Sequence, residues 1–372
     1  MPQASLKGQS PKTSLKEGGC RISIMKFVGM AMMAVSLMGA ALPGEPAKGQ
    51  VVRIKVHGVG LEGNLSGDSP DRDVTVYLPP SYQKSPKRRY PVVYLLHGFT
   101  DSDDKWMGLK KHFINVPEVA DKAIAAGASQ EMIVVMPNAY TRFAGSMYSS
   151  SAVTGDWEGF VANELVAYID GHYRTLANPG SRGLAGHSMG GYGTLRIAMK
   201  RPGVFSSVYA LSPCCLAPPS TPPAGNPSKA EGVKSYEEVE KADFGTKAAL
   251  ASAAAWSPNP KNPPLYLDLP TKDGVPQPAV AARWAANAPI AMADQYVGNL
   301  KRLKAIAIDV GEQDRLITGA RELVRILENN GIAAIFETYQ GDHVNHVSDR
   351  VETKVLAFFT RNLVFTGGKT RP

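Results

Sequence analysis

Short apolar runs alternate with longer, mixed segments along most of this chain. Strand-like runs cover residues 90–96, 183–185, 206–211, 305–310 and 333–338. The run over 90–96 is apolar throughout, which is typical of a strand buried on both faces of a sheet. Residues 192–199 have the spacing of an amphipathic helix. Strands separated by helices predict an α/β fold with a mostly parallel central sheet and helices on both faces.

The alternation is interrupted between residues 214 and 299. Fourteen of the 28 prolines lie between residues 213 and 289, and such a density opposes regular structure. We therefore predict one domain over residues 42–372 with a Pro-rich insertion at about 214–299, helical over 235–255. The insertion follows the strand at 206–211, so we expect it near the carboxyl edge of the sheet, as a cap or one wall of a pocket there. Three aromatic residues in it either line that pocket or pack structurally, namely Trp256, Tyr266 and Trp284.

The N-terminal region has the pattern of an export signal. Residues 27–42 are apolar apart from Ser36, follow Lys26 and end in small residues. About sixteen residues are too few for a typical membrane span of about 20, but they suit a signal peptide. We predict a signal peptide over residues 1–41, with Met25 as an alternative start, and a secreted or periplasmic protein without stable membrane insertion. A retained N-terminal anchor is the alternative.

Charge and cysteine content narrow the function classes. The net charge is +8. Removal of residues 1–41 takes away five of the 41 Lys and Arg residues and one of the 33 Asp and Glu residues, which leaves +4. A net charge of +4 is too small to predict nucleic-acid binding.

Cys214 and Cys215 are adjacent, and we interpret them as small buried residues, with a vicinal disulfide as the alternative. No group of residues has the spacing of metal ligands. The nearest acidic group is Asp101, Asp103 and Asp104, which suits a loop and a helix start rather than a calcium site. No cofactor is predicted.

Candidate chemistry begins at Ser188, the only serine in a Gly-x-Ser-x-Gly frame. A predicted strand precedes it and a predicted helix follows it. Strand, sharp turn and helix are the context of a nucleophile elbow, in which the serine sits in a strained turn and small neighbours permit close approach.

An activated serine needs a base and an acid that orients the base. Two histidines follow Ser188 in sequence, His343 and His346. We favour His343, because Gly341 and Asp342 before it suit a tight turn at the end of a strand. Asp314 follows the strand at 305–310 and is the predicted acid. Its alternative role is to cap the helix that starts near Ile317.

The predicted oxyanion hole lies after the strand at 90–96, which ends in His97-Gly98-Phe99. A His-Gly turn here directs the main-chain N–H of Phe99 at the developing negative charge, together with the N–H of Met189. We interpret His97 as a structural hydrogen-bonding residue. His187 is a poor base for Ser188, because adjacent side chains at a turn diverge.

These segments resemble the putative-esterase family of the α/β-hydrolase superfamily. That family includes S-formylglutathione hydrolase (esterase D), microbial feruloyl esterases, enterochelin esterase and the antigen 85 mycolyltransferases. The resemblance covers about residues 51–363, and the residues that carry it are 94–99, 156–174, 186–191, 311–314 and 341–343. It implies an α/β-hydrolase fold.

The sequence thus predicts a serine carboxylesterase that acts through an acyl-enzyme on a small-molecule or carbohydrate ester. The export signal argues against the cytosolic formylglutathione role and favours aryl esters or acylated plant-wall carbohydrates, such as feruloyl or acetyl esters. An acyltransferase resembling antigen 85 is one alternative. An inactive secreted carbohydrate-binding protein with a hydrolase fold is the alternative of another class.

Overall fold

Eight strands form the central sheet of the computed structural model, which describes residues 47–108, 114–218 and 228–366. The strands are β1 Gln50–His57, β2 Asp71–Leu78, β3 Val92–Leu96, β4 Ile133–Pro137, β5 Arg182–His187, β6 Ser207–Leu211, β7 Ala305–Gly311 and β8 Ile335–Tyr339. They lie in the order β1-β2-β4-β3-β5-β6-β7-β8. β2 is antiparallel to both of its neighbours, and all pairs from β4 to β8 are parallel.

Helices connect the strands and cover the sheet. They are α1 Val116–Ala125, α2 over residues 157–172, α3 Met189–Lys200, α4 Tyr236–Lys241, α5 Phe244–Trp256, α6 Pro278–Ala285, α7 Pro289–Met292, α8 Val297–Leu300, α9 Ile317–Asn329 and α10 over residues 347–362. Both α2 and α10 contain a π-helical turn, at Phe160–Glu164 and Val351–Val355. Short 3-10 turns lie at Val59–Leu61, Asp103–Trp106, Pro179–Ser181, Lys229–Gly232 and Ala293–Gln295, and two-residue strands pair Ser150–Ser151 with Gly155–Asp156 and Thr271–Lys272 with Val275–Pro276.

The core lies on both faces of the sheet. Val92, Tyr94 and Leu96 of β3 belong to the cluster that includes residues of α2 and α3. The alternate residues Val93 and Leu95 belong to the second cluster, which includes residues of α1 and α10. Successive side chains of a strand point to opposite faces, so this strand must be apolar throughout. The predicted fold class, a mostly parallel sheet covered on both faces, is confirmed.

The signal peptide and the Pro-rich insertion predicted from the sequence lie wholly or partly outside the described residues. The proposed signal peptide over residues 1–41 lies outside the described residues, as does part of the Pro-rich segment. The described part of residues 214–299 carries α4 to α8, and the part expected to be helical, 235–255, contains the two helices α4 and α5. Asp243 separates them, because its carboxylate accepts a hydrogen bond from the Thr246 N–H and starts α5. That the segment is an insertion stays a prediction. Within the described ranges, no helix has the length and apolar character needed to traverse a bilayer.

Candidate active site

Ser188 occupies the turn between β5 and α3. Its backbone has φ 57° and ψ −113°, a conformation that costs free energy for a residue with a side chain. Close packing surrounds the turn. A Cβ added at Gly186 would lie 2.4 Å from the main chain of Gly190, and one added at Gly190 would lie 2.1 Å from the carbonyl oxygen of Leu96. The flanking positions therefore require glycine, as the elbow predicts.

Three predicted residues meet at the carboxyl edge of the sheet. The Oγ of Ser188 lies 2.9 Å from the Nε2 of His343. The Nδ1 of His343 lies 2.6 Å from an oxygen of Asp314. They follow β5, β8 and β7, and the carboxyl ends of neighbouring parallel strands meet at one edge. Because Nδ1 faces a carboxylate, it carries the ring proton, which leaves Nε2 to accept the proton of Ser188.

Asp314 is buried and ionised. Burial opposes its charge, but hydrogen bonds from His343 and from the Leu316 N–H outweigh it and lower the pKa of Asp314. The main-chain oxygen of Asp314 also accepts the N–H of Ile317, the first residue of α9. Asp314 thus contacts both the ring of His343 and the turn before α9, but the N-cap of α9 is Leu316, so Asp314 does not have the capping role considered from the sequence.

The other histidines near the site make different contacts. The Nδ1 of His346 lies 3.0 Å from an oxygen of Asp349. His97 is buried, and its Nε2 accepts the Ala139 N–H at 2.8 Å while Nδ1 donates to the carbonyl of Gly98 at 2.8 Å. Burial lowers the pKa of His97. Its two hydrogen bonds agree with the structural role expected from the sequence.

The two predicted oxyanion donors flank Ser188. Phe99 follows β3, and Met189 is the first residue of α3. A Cβ added at Gly98 would lie 3.5 Å from the Cβ of Ser188, so the β3 turn packs directly against the elbow. In the described ranges, neither N–H takes part in a turn, loop or cap hydrogen bond, and the first N–H of a helix has no intrahelical acceptor. That these two N–H groups form the oxyanion hole stays a prediction.

A cavity of about 600 Å³ opens onto Ser188, Asp314 and His343. Much of its remaining lining is apolar or sulfur-containing: Phe99, Met147, Cys214, Cys215, Phe244 and Val344. The rings of Phe99 and Phe244 meet edge to face, with centroids 5.5 Å apart. Phe244 is the first residue of α5, which makes the Pro-rich segment one wall of this cavity.

The cysteines and tryptophans of this segment differ from each other in placement. Cys214 and Cys215 are free thiols with their Sγ atoms 2.6 Å apart. They are half-buried, contrary to the expectation of full burial, because they line the cavity.

Trp256 and Trp284 pack against each other with ring centroids 5.5 Å apart, and both are buried. Tyr266 is half-buried and packs against the same core, so packing is the role that these three rings have.

Sequence reasoning missed one contact of the elbow with the base loop. The Nε2 of His187 lies 2.8 Å from the main-chain oxygen of His343. The two residues are 156 positions apart, and no local pattern reports such a distant pairing. The one indication in the sequence was the position of His187 immediately before Ser188, which places its side chain close to the nucleophile elbow.

Comparisons with known proteins concern the family and the fold of this chain. The sequence model of the family described as "Putative esterase" matches residues 69–350. An esterase of Mycobacterium tuberculosis is 34% identical over 141 residues, which are 37% of this chain and 28% of the relative. An endo-1,4-beta-xylanase/feruloyl esterase of Xylanibacter ruminicola is 30% identical over 194 residues, which are 48% of this chain and 26% of the relative. The chain thus spans about a quarter of the length of these curated relatives.

A solved ferulic acid esterase has a similar fold, with a TM-score of 0.59 and 22% identity, over 85% of this chain and 99% of that one. At this identity the likeness concerns the fold. The α/β-hydrolase fold expected from the sequence is confirmed.

Proposed function

Because the chain belongs to the putative-esterase family, we propose that it is a serine carboxylesterase that works through an acyl-enzyme. The observation that carries this proposal is the hydrogen-bonded series from Ser188 through His343 to Asp314. Its order and distances match those needed for nucleophilic catalysis by a serine. The strained backbone of Ser188 supports the same role, because such strain concentrates at functional sites.

In the proposed mechanism, the Oγ of Ser188 attacks the ester carbonyl while the Nε2 of His343 takes the hydroxyl proton. Asp314 remains ionised and stabilises the imidazolium that forms. The N–H groups of Phe99 and Met189 hold the oxyanion. The C–O bond of the ester then breaks, and His343 returns the proton to the departing alcohol. Water repeats these steps on the acyl-enzyme and releases the acid and free Ser188.

For the substrate we propose an aryl ester or an acylated carbohydrate, such as a feruloyl or acetyl ester. The apolar lining suits an acyl group, and the edge-to-face pair of Phe99 and Phe244 suits a planar ring. The resemblance of the chain to a xylanase/feruloyl esterase supports the same class. A carbohydrate alcohol would extend from the open side of the cavity into solvent.

Export is part of the same proposal. The apolar run over residues 27–42 and the small residues at its end support cleavage near residue 41. Sequencing the N-terminus of the protein exported by a host cell tests this directly. A mature chain that begins shortly after residue 41 is expected, and a chain that retains residues 27–42 would favour an anchor.

The decisive test combines labelling with turnover. Wild-type protein should react with a fluorophosphonate probe and hydrolyse p-nitrophenyl esters, methyl ferulate or acetylated xylan. Ser188→Ala should lose the label and several orders of magnitude in kcat, with residual catalysis from the oxyanion hole and binding alone. Ser252→Ala is the matched control, because Ser252 lines the same cavity, and it should still be labelled.

The outcomes separate the competing functions. Near-wild-type hydrolysis by Ser188→Ala would overturn the assignment. An unlabelled wild-type protein that still binds carbohydrate would indicate a binding protein instead. Addition of an alcohol acceptor distinguishes the transferase, because product ester would then form at the expense of free acid.

A further inference from the structure

His187 connects the nucleophile elbow to the loop that carries the base. It is the last residue of β5, it is buried, and its neighbour in sequence is Ser188. Its Nε2 lies 2.8 Å from the main-chain oxygen of His343. The centroids of the two imidazole rings are 4.7 Å apart, and the ring planes are inclined to each other by 41°. This hydrogen bond therefore joins the residue beside the nucleophile to the backbone of the base.

The direction of the hydrogen bond is fixed by its acceptor. A carbonyl oxygen cannot donate, so the Nε2 of His187 must carry the proton. Burial, and then the charge of His343, lower the pKa of His187 to about 4. At neutral pH His187 is thus an uncharged ring with a single proton, and that proton points at His343.

The other hydrogen bonds of the base loop lie within it, apart from one to the turn after β7, where the Gln313 N–H donates to the carbonyl of Gly341. Asp342 accepts the N–H groups of Val344 and Asn345, and the Asn345 side chain accepts the Asp342 N–H. These bonds shape the loop and attach it to the turn after β7, but none of them reaches the elbow that carries Ser188. The ring of His343 contacts Ser188 and Asp314, but a ring can rotate about its side-chain bonds. A contact to the main chain of His343 fixes the point from which the ring extends.

We propose that His187 is a positioning residue of the esterase, whose Nε2–H donates to the carbonyl of His343 and holds the base at reaction distance from Ser188. The inference rests on the proposed serine mechanism. His187 is held neutral, so it neither competes for the proton of Ser188 nor repels the imidazolium that His343 becomes. Displacements of about 1 Å in such an arrangement cost up to about 10²-fold in rate.

Paired variants separate the donor from the bulk of the ring. His187→Phe and His187→Leu remove the donor and keep an apolar side chain in the site. His187→Gln keeps an N–H donor at a similar distance from the backbone. We expect the donor-free variants to lose about 10- to 100-fold in kcat toward p-nitrophenyl acetate with KM nearly unchanged. His187→Gln should recover most of that loss.

Circular dichroism and thermal unfolding establish that each variant is folded before the kinetics are compared. Wild-type kcat in a folded donor-free variant, or no recovery in His187→Gln, would overturn the inference. If His187→Gln folds and both donor-free variants do not, the contact stabilises the fold rather than positioning the base, and the inference also fails. Ser188→Ala, measured alongside, reports on the esterase assignment separately.

Discussion

Acid sensitivity of the fold should depend on His187. The pKa of its buried ring is about 4, whereas an ordinary histidine titrates near 6.5. Between these values the unfolded chain binds a proton that the folded chain excludes. The stabilisation is therefore complete above about pH 6.5 and is lost as the pH falls towards 4. Asp101 and Asp314 attract the charged form, but burial and His343 outweigh them.

The size of the effect follows from the two pKa values. At about 1.4 kcal/mol per pH unit, His187 contributes about 3 kcal/mol in total, of which about 2 kcal/mol is lost by about pH 5. His187→Gln has no ring to protonate. Its free energy of unfolding should therefore fall by about 2 kcal/mol less than that of the wild type between about pH 7.5 and 5.

Urea unfolding at both pH values measures this difference directly. Other carboxylates and histidines titrate in both proteins, so the comparison isolates position 187. His172→Gln removes an exposed histidine and should follow the wild type. Equal acid losses in wild type and His187→Gln would show instead that the ring of His187 accepts its proton in the folded state.

Three further predictions concern the site and its turn. In p-nitrophenyl acetate assays, His343→Ala should lower kcat nearly as much as Ser188→Ala, because base and nucleophile act as one unit. His346→Ala should keep most activity, and the reverse result would identify His346 as the base. Asp314→Asn should lower kcat by about 10⁴ with little change in KM, since an amide no longer selects the Nδ1–H tautomer, and a loss below about tenfold would remove the acid from the mechanism. Gly190→Ala should lower the free energy of unfolding in urea by at least about 2 kcal/mol through its main-chain clash, whereas Gly171→Ala, where an added Cβ meets nothing within 4 Å, should cost nothing.

The central strands β3, β5, β6 and β7 were predictable because they are buried on both faces. The apolar run at residues 90–96 contains β3, and the run at 183–185 lies within β5. The helix expected over 192–199 begins earlier, at Met189, because the elbow turns directly from Ser188 into α3. β8 was also predicted, at 333–338, although it is an edge strand with partly exposed side chains.

The order of residues along the chain made Ser188, Asp314 and His343 predictable as candidates. Contacts between distant segments could not be predicted in this way. Ser188, Asp314 and His343 each follow a strand, and parallel strands bring such positions to one edge. The contact of His187 with His343 depends on how the end of β5 packs against a loop far away in the sequence. The cavity wall formed by Phe244 was likewise hidden, since α5 shows no pattern that says which of its residues face Ser188.

A covalent acyl-enzyme on Ser188 would be the most direct evidence for nucleophilic catalysis. Wild-type protein mixed with an activated ester, such as p-nitrophenyl acetate, and quenched in acid within the first turnover should carry one acyl group. Peptide mass spectrometry should locate that group on Ser188, and Ser188→Ala should carry none. An acyl group on another residue, or rapid hydrolysis without any acylated Ser188, would show that Ser188 is not the nucleophile.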